Sequence, residues 1–131
     1  MSVIASTSGS QYPSVSFKSI GDSVAGRIVA TEDYQETVFG SKDLKFFPSG
    51  DPVMGVRITM ELTPGDESSR VTLWAQGKRM LQAIAAAVKG AGAADIEIGA
   101  DLALTFTGYD GRAKVFQGAY ARPEAEMAAA A

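Results

Sequence analysis

Three stretches of this 131-residue chain set aromatic rings beside cations. The first holds Lys42, Lys45, Phe46 and Phe47, with Phe39 just upstream. The second is spread over Arg57, Arg70, Trp74 and Lys78, and the third is Tyr109, Arg112 and Lys114. Flat π-faces stack on bases, and lysines or arginines between them meet phosphates, so this mixture suits an unpaired nucleic-acid strand. Catalytic chemistry has less to work with. There is no Cys and no His, which removes thiol nucleophiles, thiolate or imidazole metal sites and a Ser-His-Asp triad. The acidic groups Glu32-Asp33-Glu36, Asp66-Glu67 and Asp95-Glu97-Asp101 have neither Ca²⁺-loop nor two-metal spacing. No glycine run matches a phosphate-binding fingerprint. The expectation is a binding protein with no catalytic residues, cofactor or metal.

The elements that must carry these side chains read clearly. Alternation over Val24–Tyr34 predicts a strand, with Val24, Gly26, Ile28 and Ala30 on one side. Met54, Val56, Ile58, Met60 and Leu62 predict a second, half-buried strand, closed off by Pro64-Gly65-Asp66. In the third, Arg70 to Gln76, the residues Val71, Leu73 and Ala75 oppose Arg70, Thr72, Trp74 and Gln76. The period then changes: Leu81, Ile84, Ala85 and Val88 mark a helix from Lys78 to Lys89, stopped at Gly90. Ile96-Glu97-Ile98 is a short alternating piece. A fourth strand carries Leu102, Leu104 and Phe106, and a fifth runs from Ala113 to about Tyr120. Asp110-Gly111 between them signals a hairpin.

The order β-β-β-α-β-β, with one helix between strands three and four, predicts a five-stranded OB-fold Greek-key barrel over residues 13–122. Residues 1–12 read as a flexible arm and 123–131 as a flexible tail. In that fold the binding surface is the face of strands two and three and the loops joining strands one–two and four–five. Register then turns Arg57, Arg70 and Trp74 outward. The alternative for Trp74 is packing beneath the arm, the helix or a partner subunit. The long stretch 35–52 would cover a bound strand with Phe46, Phe47, Lys42 and Lys45, or else cap the barrel or form an oligomer contact. Tyr109, Arg112 and Lys114 would flank it, or form an ordinary solvated turn.

Charge limits the partner. Twelve basic against fifteen acidic residues leave −3, so any cationic face is local and the salt dependence shallow. No stretch reaches the roughly 18 apolar residues of a membrane span, and the first residues lack a basic, apolar leader. The expectation is a cytoplasmic protein with no membrane partner.

Two stretches, 13–29 and 71–108, carry a resemblance. The matching features are Phe17 with Ile20-Gly21-Asp22, Trp74 with Gly77-Lys78, and the Ala-rich helix ending Gly90-Ala91-Gly92-Ala93. Ile98-Gly99 with Leu102, and Thr105-Phe106-Thr107-Gly108, complete the set. The chain thereby resembles small early-gene proteins of actinobacterial phages, described as OB-fold single-stranded DNA-binding proteins. The resemblance implies coating of single-stranded DNA during phage replication or recombination in the host cytoplasm, homo-oligomers, and contacts with replication or recombination proteins. Trp74 and Lys78 fall on matched positions. The tail departs from bacterial-type single-strand binders: it is short, with only Glu124 and Glu126, which puts tail-mediated recruitment in doubt. The rival expectation is an OB-like structural or regulatory module of a phage assembly, with its aromatics at protein interfaces.

Overall fold

The alternating segments form one five-stranded antiparallel sheet with a single α-helix, in a computed structural model that describes residues 12–38 and 41–123. The strands are β1 (Ser23–Gln35), β2 (Met54–Glu61), β3 (Arg70–Ala75), β4 (Asp101–Asp110) and β5 (Ala113–Ala121), and the helix α1 is Lys78–Gly90. Sheet order is β3-β2-β1-β4-β5. One face curls around a core of Ile28, Ile58, Met60, Leu73, Leu102, Leu104 and Phe106, all essentially sealed from solvent. Ile84 and Val88 of α1 complete that core. The helix presses close to β5 because Gly118 has no side chain: a Cβ there would lie 3.0 Å from the Ala83 carbonyl oxygen.

Several local expectations shift. Helix α1 passes through Gly90 and stops at Gly92, whose φ of +85° suits glycine. Gly92 N–H then donates to Lys89 O and Ala93 N–H to Val88 O, the two bonds of a Schellman stop. Ala85 faces solvent, not the core. Ile96-Glu97-Ile98 forms no strand and lies in the connection to β4, where the Glu97 carboxylate holds Arg122 at 2.9 Å. The Asp110-Gly111 hairpin stands, with Gly111 at φ +65°.

Strand β1 is the main surprise. Its register against β2 slips between Ile28 and Ala30, a bulge at Val29. Val24 and Ile28 point into the core, as expected, but the bulge reverses the parity beyond it. Ala30 pairs with Thr59 and Tyr34 with Gly55, so both stand on the outer face.

The sheet is not closed into a barrel. Among the described residues no strand pairing joins β3 to β5. The segment Pro13–Phe17 fills that seam instead. Val15 N–H donates to Thr72 O and Thr72 N–H to Pro13 O, both at 2.8 Å, along the β3 edge. On the other side the Phe17 ring meets Phe116 of β5 edge-on at 5.2 Å, and Lys114 Nζ donates to Phe17 O. This strap explains why Thr72, expected on the outer face, is buried. Of the arm 1–12, only Tyr12 is among the described residues, and its ring lies beside Arg70. Of the tail 123–131, only Pro123 is.

Candidate nucleic-acid interface

Trp74 stands on the outer face of β3, as its register requires, paired across to Arg57 of β2. It is half-buried because three neighbours fit around it. The Arg57 guanidinium lies 5.8 Å from the ring centre, Tyr34 meets its edge at 5.2 Å and 89°, and Nε1 donates to Ser14 Oγ at 3.1 Å. Tyr34 reaches this position because Gly55 lies beneath it. A Cβ on Gly55 would come within 2.9 Å of the Tyr34 ring and hydroxyl. The hydroxyl donates to Gln76 Oε1 at 2.6 Å, and burial, followed by the nearby Glu36 charge, pushes the phenol up to about 12. Two aromatic rings are thus fixed at right angles, with a cation over one of them. Each stacked base on such a platform contributes roughly 1–3 kcal/mol.

Beside this pair opens a cleft of about 990 Å³. Its walls come from the strap, the ends of β1 and β3, the first turn of α1 and the β4–β5 hairpin. Tyr34, Trp74, Phe17 and Phe116 give it aromatic surface, and Lys78, Arg79, Arg112 and Lys114 bring four cations. Arg79 is ion-paired with Asp110, which ties the helix to the hairpin tip. Lys114 is anchored on the Phe17 carbonyl and sits 5.3 Å from the Phe106 ring centre. Lys78 and Arg112 have no ion-pair partner among the described residues. Among the described residues, Glu36 is the buried carboxylate beside the cleft. It accepts from Gly77 N–H at 3.2 Å and faces Lys45 Nζ at 4.0 Å, joining the β1–β2 loop to the start of the helix. Among the described residues no carboxylate lines the opening.

No protein-family model, curated protein or solved structure matches this chain. The interface therefore rests on its own geometry, and that geometry sorts the residues singled out from the sequence. Trp74, Lys78, Arg112 and Lys114 converge on the cleft. Arg57 adjoins it through Trp74 but is also ion-paired to Glu32. Arg70 lies farther along β3, held by Glu61 at 3.1 Å and Glu67 at 3.5 Å. Lys42, Phe46 and Phe47 stand exposed on the β1–β2 loop and do not line the cleft, and Lys45 touches it only through Glu36. Tyr109 is exposed at the hairpin and leans on Phe106. Phe39 lies outside the described residues. Two contributors escape a reading of the sequence: Tyr34, displaced to the outer face by the bulge, and Arg79, one residue past the matched Lys78. A tyrosine opposite a strand glycine is the signal that points to the first of these.

Proposed function

We propose that this protein binds single-stranded DNA without base specificity, laying one strand through the cleft beside Trp74. The observation that carries this reading is convergence. On a chain of net charge −3, four cations and an ordered Tyr–Trp pair from separate segments meet at one opening. Trp74 and Tyr34 stack bases. Lys78, Arg112, Arg79 and Lys114 take phosphates, and Arg57 steadies the Trp74 ring. Exposed ring surface in the cleft favours an unpaired strand, whose bases are free to stack, over a duplex, whose bases are already stacked.

The strand order supports an OB-type barrel opened at its third–fifth seam, with the strap as the filling. In such folds the strand path crosses the β2–β3 face, where Trp74 and Arg57 stand. The resemblance to phage single-strand binders leads to the same biological setting: coating DNA during replication or recombination. Binding, with no bond made or broken, is the whole of the proposed activity.

The single Trp provides the test. Titrating its fluorescence with oligo-dT, oligo-rU and a matched duplex at two salt concentrations should give strong quenching by oligo-dT and little by duplex. Three or four phosphate contacts predict that log K falls with log salt at a slope of about −2 to −3. Unchanged emission with all three ligands would overturn the proposal and leave the aromatic face to protein partners.

A further inference from the structure

The β1–β2 loop gives the cleft only Thr37, yet among the described residues it holds most of the exposed large apolar side chains. Five of the nine large hydrophobic side chains exposed among the described residues lie in or beside it: Val38, Leu44, Phe46, Phe47 and Met54. The loop is not slack. Glu36 N–H donates to Val53 O, Lys45 N–H to Glu36 O, Val53 N–H to Lys45 O and Phe47 N–H to Asp51 O, all within 3.0 Å. An apolar knob held rigid in water binds something without a large ordering cost.

A second feature at the far end of β1 matches it. A groove of about 420 Å³ crosses the outer face of β1, β4 and β5. Its floor is Ala25, Gly26, Ala103 and Ala119, and Leu62 and Pro64 form one wall. For scale, an apolar cavity of about 150 Å³ accepts a benzene ring, so this groove has room for two phenyl rings. The turn bearing Pro64 also carries the exposed acids Asp66 and Glu67. The loop carries Lys42, which has no ion-pair partner among the described residues.

From Ala25 to Gln35 the strand spans roughly 30 Å at ordinary strand rise. A chain therefore cannot seat its own knob in its own groove. We propose that Phe46 and Phe47 of one copy dock in the alanine-floored groove of the next, joining copies head to tail. Such a contact is heterologous. A head-to-tail pair leaves one knob and one groove free, so further copies add, as an open row or a closed ring. The contact requires no nucleic acid and stands independently of the DNA-binding proposal.

Mixing two variants tests it. Phe46→Ser/Phe47→Ser removes the knob, and Ala119→Glu blocks the groove from an exposed position. Sedimentation velocity of the full chain without DNA should show an average mass that climbs past the dimer with concentration. Each variant alone should remain monomeric, and an equal mixture should form a dimer that grows no further. A groove variant that dimerises alone would indicate a loop-to-loop contact and overturn the proposal, as would a parent that stays monomeric at every concentration. A parent that assembles only after residues 124–131 are deleted would place the chain's own last residues in the groove, with the same consequence. Thermal melts confirm folding, and Ala25→Gln replaces Ala119→Glu if the latter does not fold. Both variants should bind a short oligo-dT as the parent does, so loss of assembly and loss of DNA binding are read separately.

Discussion

Two groups of cations on the same sheet have opposite surroundings. At the β2–β3 turn, Arg70 is enclosed by Glu61, Glu67 and Tyr12, and at the start of β1, Arg27 is paired with Asp101. At the other end, Lys78 and Arg112 open into the cleft with no ion-pair partner among the described residues. The residue types are equivalent and the flanking acids are not. Where acids flank a guanidinium it fastens strand to turn; where they are missing, its charge is left for a ligand. An acidic protein can therefore present a cationic site by distributing its carboxylates unevenly, with no excess of lysine.

The largest effect should come from the rings between these two groups. Trp74→Ala is expected to weaken oligo-dT binding by about 10- to 100-fold, the equivalent of one lost stack, with the fold retained because the ring lies outside the core. Tyr34→Ala should fall in the same range, and anisotropy with labelled oligo-dT measures both. An intact affinity in Trp74→Ala would remove the ring from the interface.

The comparison between the groups sharpens with charge. Lys78→Ala and Arg112→Ala should each flatten the salt slope by about 0.7. Arg70→Ala should leave affinity and slope unchanged and instead lower the melting temperature, because buried Glu61 loses a partner. A slope change in Arg70→Ala would erase the distinction between the groups.

Titration gives the smallest and broadest effect. The carboxyl of Asp22 is held below the usual range by backbone N–H groups of Ser19 and Lys18. Gly65 N–H and then Arg70 lower Glu61, and Arg122 and then Tyr120 lower Glu97. Lowered folded-state values mean that their stabilisation is complete above about pH 4.5 and is lost as pH falls through those values. Tyr34 and Tyr120 are pushed up to about 12, chiefly by burial. Their contribution is complete below about pH 10 and is lost as pH rises toward 12. Thermal melts across pH should be flat between these limits, and tyrosinate absorbance should show Tyr34 and Tyr120 ionising late.

Much of this was legible in the residues. Period-two alternation located β1, β2 and β3 to within about one residue and ended β4 three residues early at Thr107, the Asp110-Gly111 hairpin signal marked the start of β5, and the change to a 3.6 period located the helix. Register alone put Trp74 on the outer face. What stayed hidden has physical causes. The bulge at Val29 adds one residue to β1 and reverses every side chain after it, so alternation from Val24 would bury Tyr34. The strap alternates only over Ser14-Val15-Ser16-Phe17, a run too short to stand out as a strand, and it pairs with an edge 58 residues away, a match that no local pattern encodes. The free state of Lys78 and Arg112 depends on where distant carboxylates fall after folding.

The strap also has a consequence in time. Ser14 reaches Thr72 only after β2 and β3 have come together, and Phe17 needs β5, nearly 100 residues later, to pack against. The strap can therefore settle only after those strands are in place. While it is up, the β3 edge presents unpaired amide and carbonyl groups, the template on which sheets of separate molecules join. The β3 edge of a newly made chain is thus open to other molecules until the five residues Pro13–Phe17 settle over it, and covered from then on.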